Sequence, residues 1–211
     1  MAHTTAHKQR WQRRKAARPG EILDAALELF TEKGFVATRL DEIADRAGVS
    51  KGTLYLYFDS KEDMFRAMVQ NIIVPHVDQA EQLISDHVGT QRELIECFVW
   101  NWWEVVGKTR LAAIPKLLVA EAHHFPELAE FYVIHVVDRV RNLLAAIIRQ
   151  GVAQGEFKKV DANSAVRVLI APLVFAVIWD RSLGLFDKSD YDRGQYIRTH
   201  LQLFFEGVSH R

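Results

Sequence analysis

The sequence has little of what builds covalent staples, membrane spans or catalytic loops. It holds one cysteine in 211 residues, Cys97, so no intrachain disulfide can form. That fits a reducing cytosol, and Cys97 itself reads as a small buried core residue rather than a redox sensor. The longest apolar run, Val168 to Trp179, has 12 residues and contains Pro172, which is too short to cross a bilayer and reads as a buried helix. No apolar stretch follows the N-terminus as a secretory signal requires. No alternating run is bounded by turn signals at both ends, so no sheet is expected. Glycine-rich phosphate loops and nucleophile elbows are also lacking. Glu121-x-x-His124 has no second copy, although a di-metal bundle needs two, and the adjacent His123 and His124 point to different sides of a helix. The expectation is a soluble, cytoplasmic, all-α protein that is not an enzyme and carries neither cofactor nor metal.

Hydrophobic residues make up 49% of the chain and charged residues 26%, so a sizeable core can form. Net charge is zero, but its distribution is uneven. Residues 1–20 carry Lys8, Arg10, Arg13, Arg14, Lys15 and Arg18 and no acidic residue, which leaves the remainder at −6. Such an arm reads equally as a DNA-contacting tail or as a solubilising one.

Helical periodicity starts at Pro19, with Ile22, Ala25, Ala26, Leu29 and Phe30 on one face. Glu21 and Asp24 suit the N-terminal dipole and Gly34 suits the C-terminal cap. A second short helix is expected from Thr38 as N-cap, with Ile43, Ala44 and Ala47 facing inward. Gly48 ends it, and Ser50 caps a third helix running through Phe58. A long helix from Lys61 should bend or break at Pro75, where a backbone bond is lost. Further helices are expected near 91–106, 110–122, 126–153, 161–181 and 190–207. The chain then divides into an arm (1–18), a three-helix head (19–66) and a helical body (67–211).

Residues 38–61, TRLDEIADRAGVSKGTLYLYFDSK, carry the argument. Two short helices flank a tight turn at Gly48-Val49-Ser50, and the small Ala44 and Ala47 allow their close approach. This is the layout of a helix-turn-helix. Its second helix would enter the major groove with Ser50, Lys51, Gly52 and Thr53 nearest the base edges. Gly52 admits close backbone approach, and the Thr53 methyl can meet a thymine methyl. Tyr55, Tyr57 and Lys61 are placed to reach phosphates, and Thr38 and Arg39 begin the helix that crosses the backbone.

This stretch resembles the N-terminal domain of the TetR (tetracycline-repressor-like) family. The matching residues are Phe30, Gly34, Phe35, Thr38, Ile43, Ala44, Ala47 to Tyr55, Tyr57, Phe58, Lys61 and Glu62, within roughly residues 20–66. Arg39 departs from the Ser or Thr often found there. The resemblance implies a homodimer on a double-stranded DNA operator. The last two long helices of each subunit would pack into a four-helix interface. A variable C-terminal domain would bind a small molecule that releases the protein from DNA.

The body is less explicit. Residues 121–132, EAHHFPELAEFY, resemble a segment of one branch of that family and read mainly as scaffold. Aromatic residues gather in the core helices, and an apolar or aromatic effector is expected against Trp103, Phe131, His135, Phe175 and Trp179. Tyr196, Ile197, His200, Leu201, Phe204, Phe205 and Val208 form a wide apolar stripe on the last helix, suited to burial across a two-fold axis. A sequence-specific repressor fits this division better than an architectural DNA binder, because the body is distinct and the reading helix short.

Overall fold

The computed structural model describes residues 19–85, 87–189 and 192–209. The basic arm lies outside the described residues. The chain divides into two compact units, Met1–Asn71 and Ile72–Arg211, where the sequence pattern places the boundary between residues 66 and 67. Among the described residues the fold is all-α, with one isolated antiparallel bridge between Phe157 and Ser209.

The first unit contains α1 (19–33), α2 (Leu40–Arg46), α3 (Lys51–Tyr55) and α4 (Lys61–Met68). Gly34 closes α1 at φ 83°, where its amide donates to the Phe30 carbonyl at 3.0 Å. Phe30, Phe35 and Phe65 meet at the centre, with ring centroids 4.9 and 6.1 Å apart. Ile22, Leu27, Ile43, Leu54, Met64 and Met68 pack around them and are fully buried. Each such side chain contributes about 1.5–3 kcal/mol, so one face of every helix is committed to this core.

The second unit contains α5 (Val74–Ser85), α6 (Gln91–Trp102), α7 (Ala113–Glu121), α8 (Pro126–Tyr132), α9 (Asp138–Ala153), α10 (Ala162–Asp180) and α11 (Arg193–Val208). Helix α10 packs against α9, α7 and α11, and α6 against α9. Leu144, Ile148, Leu169, Leu173, Val177, Ile197, Leu201 and Phe205 are buried in this core. Glu156 ties a distant loop to α6 by accepting the Gln91 and Arg92 amides at 2.8 Å each. The Tyr196 hydroxyl donates to the Pro172 carbonyl at 3.2 Å, and His200 Nε2 lies 2.7 Å from the Leu169 carbonyl, so the polar tips of α11 are satisfied on α10.

Three π turns, Val69–Ile73, Trp103–Gly107 and Val133–Val137, lie inside stretches that periodicity reads as continuous helix. A π turn inserts one residue without breaking the helical run, so hydrophobic spacing does not announce it. The first corrects the expectation of a break at Pro75. The chain stays helical there, because the wider turn just before Pro75 relieves the clash of its ring with the preceding carbonyls.

Two further expectations change. Cys97 is exposed, on the outer face of α6, and not a core thiol. The apolar run around Pro172 belongs to a 19-residue helix long and apolar enough to cross a membrane by length and composition. It is not buried all round: one side packs on α9 and α11, while Val168 and Phe175 face outward.

Gly151 in α9 supports the Phe157 ring, which also stacks on Phe205 at 6.3 Å. A Cβ on Gly151 would lie 2.3 Å from that ring. Helix propensity alone favours alanine over glycine by about 1 kcal/mol. Overpacking a buried ring costs about 1–3 kcal/mol, and Phe157 has no room to yield. The two terms net to about 1 kcal/mol of destabilisation, so Gly151→Ala is expected to lower the melting temperature by roughly 2–4 °C. An unchanged or raised Tm would show that the ring moves freely.

Candidate nucleic-acid interface and cleft

The turn between α2 and α3 is closed by two backbone bonds. Gly48 N–H donates to the Asp45 carbonyl at 3.1 Å and Val49 N–H to the Ala44 carbonyl at 2.9 Å. This is a Schellman pattern, and it requires the left-handed backbone that Gly48 adopts at φ 65°. Ser50 then caps α3, its Oγ accepting the Thr53 amide at 3.1 Å and lying 2.8 Å from the Thr53 hydroxyl. Leu54 is the buried anchor of α3. The opposite side presents Ser50, Lys51 and Gly52 to solvent, with Thr53 half-buried beside them. The helix is shorter than the sequence suggests, ending at Tyr55, because Phe58 turns into the core.

Tyr55 is exposed, and Tyr57 is half-buried near the Phe58 ring. Lys61 is also half-buried. Its ammonium donates to the carbonyls of Phe35 at 2.8 Å and Val36 at 2.9 Å and sits over the Phe35 ring. Two of its three N–H groups thus clasp the turn that follows α1, which leaves one for an outside acceptor.

Thr38 requires a correction. It is only 1% exposed, and its hydroxyl lies 2.7 Å from the Gly34 carbonyl and 3.2 Å from the Leu29 carbonyl. The N-cap of α2 is Arg39, whose backbone amide donates to Glu42 Oε2 at 3.3 Å. Thr38 therefore shapes the turn behind the surface and does not face a ligand. Arg39 is open to solvent, with its guanidinium 3.4 Å from Asp41, and Lys51 reaches the same carboxylate at 3.4 Å. The backbone amide of Asp41, then Lys51 and Arg39, hold its carboxyl below the usual range. Asp41, which sequence reasoning missed, links the two cations of this face; only its spacing of ten from Lys51 across a sharp turn hinted at it.

In the second unit a cleft of about 820 Å³ opens between the π turn after α6, the end of α10 and the start of α11. Trp100, Trp103, Ala112, Val177 and Leu185 give it an apolar wall. The Trp103 ring lies against Gly107, where a Cβ would come within 2.2 Å of it. The rim is charged, with Lys108, Arg181, Arg193 and Arg198 against Asp180 and Asp192. Arg193 grips Asp180 through two bonds of 2.7 Å. Arg181 donates to the Thr109 carbonyl at 3.1 Å, and Arg198 to the Gln195 side chain at 3.2 Å.

Of the expected effector residues, the structure brings only Trp103 to this cleft. Phe131 and His135 pack on each other, with ring centroids 4.3 Å apart, at α8 and its π turn. Phe175 is 59% exposed and corrects the expectation of a cavity residue: it shares the outward stripe of α10 with Val168, two helical turns away. Trp179 stays with Phe175, at 6.0 Å between rings. The four cations were missed because they come from three separate segments. The Tyr132 phenol, half-buried in α8, is pushed up to about 12 by burial and stays neutral. Among the described residues no group of three His, Cys, Asp or Glu side chains is arranged to hold a metal.

Two family models match this chain. Residues 22–68 match the bacterial regulatory proteins of the tetR family, and residues 89–184 match the tetracyclin repressor-like C-terminal domain. Among curated proteins, the HTH-type transcriptional repressor KstR2 of Rhodococcus jostii is 29% identical over 81% of this chain and 83% of its own. The fatty acid metabolism regulator protein of Bacillus subtilis is 23% identical over 90% of this chain and 95% of its own. Among solved structures, the regulator FadR from Bacillus subtilis in complex with stearoyl-CoA superposes with a TM-score of 0.74 at 25% identity, covering 89% of this chain and 97% of that one. Head, turn and helical body together identify the chain as a member of the TetR family of bacterial transcriptional regulators.

Proposed function

We propose that this protein represses transcription as a homodimer and leaves its operator when a small molecule occupies the body. The observation that carries the reading is the exposed start of α3, held by the Gly48 turn and the Ser50 cap. Ser50, Lys51, Gly52 and Thr53 meet the base edges and adjoining phosphates of the major groove. Arg39, Tyr55, Tyr57 and the remaining donor of Lys61 hold the backbone and set the register. Asp41 gives up Lys51 and Arg39 to phosphates as the complex forms.

Dimerisation uses α10 and α11. Val168 and Phe175 on α10 and Leu203 on α11 are exposed apolar side chains in a single chain, a surface that a two-fold partner buries. That pairing, and not a bilayer, accounts for the outward apolar face of α10, and the protein works in the cytoplasm, where its DNA lies. The effector occupies the cleft between α6, α10 and α11, whose volume lies in the range of small-molecule sites. The repressor named among the relatives, and the related regulator seen with stearoyl-CoA, support repression and effector binding.

Titration against operator and random DNA tests the contacts. Lys51→Ala should weaken binding to every sequence and flatten the salt dependence by about one unit of slope. Thr53→Ala should cost about 1–3 kcal/mol on the operator and little on random DNA. Loss confined to one sequence for Lys51→Ala, or loss on all sequences for Thr53→Ala, would reverse the two roles.

Sedimentation tests the interface. The unmodified protein should run as a dimer at micromolar concentration and Phe175→Asp as a monomer with an unchanged far-ultraviolet spectrum. A Phe175→Asp protein that remains dimeric would place the interface elsewhere.

A further inference from the structure

The rim of the cleft is not neutral. Lys108, Arg181, Arg193 and Arg198 stand around two carboxylates, Asp180 and Asp192, and Lys108 is paired with Glu104 one turn before it, so the positive charge left over rests on Arg181 and Arg198. Asp180 is gripped from both oxygens by Arg193, so that pair is mutually satisfied. Asp192 is engaged in capping α11, where one oxygen accepts the amides of Gly194 at 2.7 Å and Gln195 at 3.2 Å. Its other oxygen lies 3.5 Å from Arg198, beyond a good hydrogen bond. Among the described residues the hydrogen-bond acceptor of the Arg181 guanidinium is a neutral carbonyl, that of Thr109. Arg198 likewise donates to the neutral amide of Gln195. A guanidinium carries five donors in a planar fork that matches a carboxylate, sulfonate or phosphate.

The positive excess sits beside an apolar wall. Trp100 and Trp103 come from α6 and its π turn, and Trp103 is fixed by its contact with Gly107. An aromatic wall next to underused guanidinium groups selects a ligand with two unlike ends. A neutral apolar molecule would fill the wall but partly desolvate both guanidinium groups, giving Arg181 no counter-charge and Arg198 none beyond Asp192 at 3.5 Å. A small hydrophilic anion would satisfy the cations and leave the partly exposed Trp100 and the exposed Leu185 uncovered.

We propose that the cleft takes an amphipathic anion, with an apolar or aromatic body against Trp100 and Trp103 and its acidic group on Arg181 and Arg198. This rests on the reading of the cleft as the effector site, and replaces the apolar or aromatic effector expected from sequence by an acidic one.

The test uses the full-length dimer and two fluorescent probes sharing one ring system, anilinonaphthalene sulfonate and its uncharged counterpart phenylnaphthylamine. Binding is read by energy transfer from tryptophan. The sulfonate should bind about tenfold or more tightly than the neutral probe, the worth of one charge-assisted hydrogen bond. Arg181→Gln and Arg198→Gln, singly and together, should remove that preference while the neutral probe binds as before, which also reports that the cleft is intact. If the double variant loses both probes, the single variants decide, and each must lose the sulfonate selectively. Equal affinity for the two probes, or variants that hold the sulfonate as well as the unmodified protein does, would overturn the assignment. DNA titration on the same samples separates the two readings. A sulfonate site that behaves as expected while DNA affinity ignores the probe keeps the anion site and removes its role as effector site.

Discussion

Gly48 sits where the chain leaves α2 and must re-enter a helix within two residues, and its φ of 65° makes that reversal possible. A side chain there would add about 1–2 kcal/mol of strain. Everything that faces outward from the head follows from this turn. Val49 and Gly48 return their amides to α2, Ser50 is left in extended backbone to cap α3, and Leu54 drops into the core one turn later. The side opposite Leu54 then presents Ser50, Lys51 and Gly52. Behind it, Thr38 and Lys61 hold the end of α1 and the turn after it through the carbonyls of Leu29, Gly34, Phe35 and Val36, so the surface rests on a connected set of hydrogen bonds.

The second unit follows a different logic. Its helices share one core, yet α10 is apolar on more sides than that core can use. The surplus explains why a helix packed among others is nevertheless long and apolar enough to cross a membrane. Its inward residues Leu169, Leu173 and Val177 pack in the shared core, and its outward residues, Val168 and Phe175, form the surface proposed for a second subunit. At its C-terminal end, Asp180 and Arg181 leave the apolar stripe and join the charged rim of the cleft. One helix thus carries core, the proposed dimer surface and the rim of the cleft in succession.

The head is legible in the sequence because its signals are local. Caps, turn glycines and apolar spacing act within four or five residues, and they suffice to place α1, α2 and α3. The errors arise where a partner is distant. Thr38 looks like an N-cap until the Leu29 and Gly34 carbonyls of α1 are placed over its hydroxyl. Phe175 reads as a core aromatic because α10 is apolar nearly all round, so the pattern does not say which side faces out. The cleft cations Lys108, Arg181, Arg193 and Arg198 come from three segments, and no spacing connects them. The π turns leave no mark in a pattern that tolerates one inserted residue.

The central claim, a dimeric reader of a specific DNA sequence, is tested most directly by repeated selection of bound duplexes from a random-sequence library on the purified protein. The account predicts convergence on a two-fold-symmetric site whose half-site centres are about 10 base pairs, or a multiple of that, apart. The selected site should outbind unselected DNA by about 10³-fold or more. A bound pool that keeps its random composition, round after round, would contradict it.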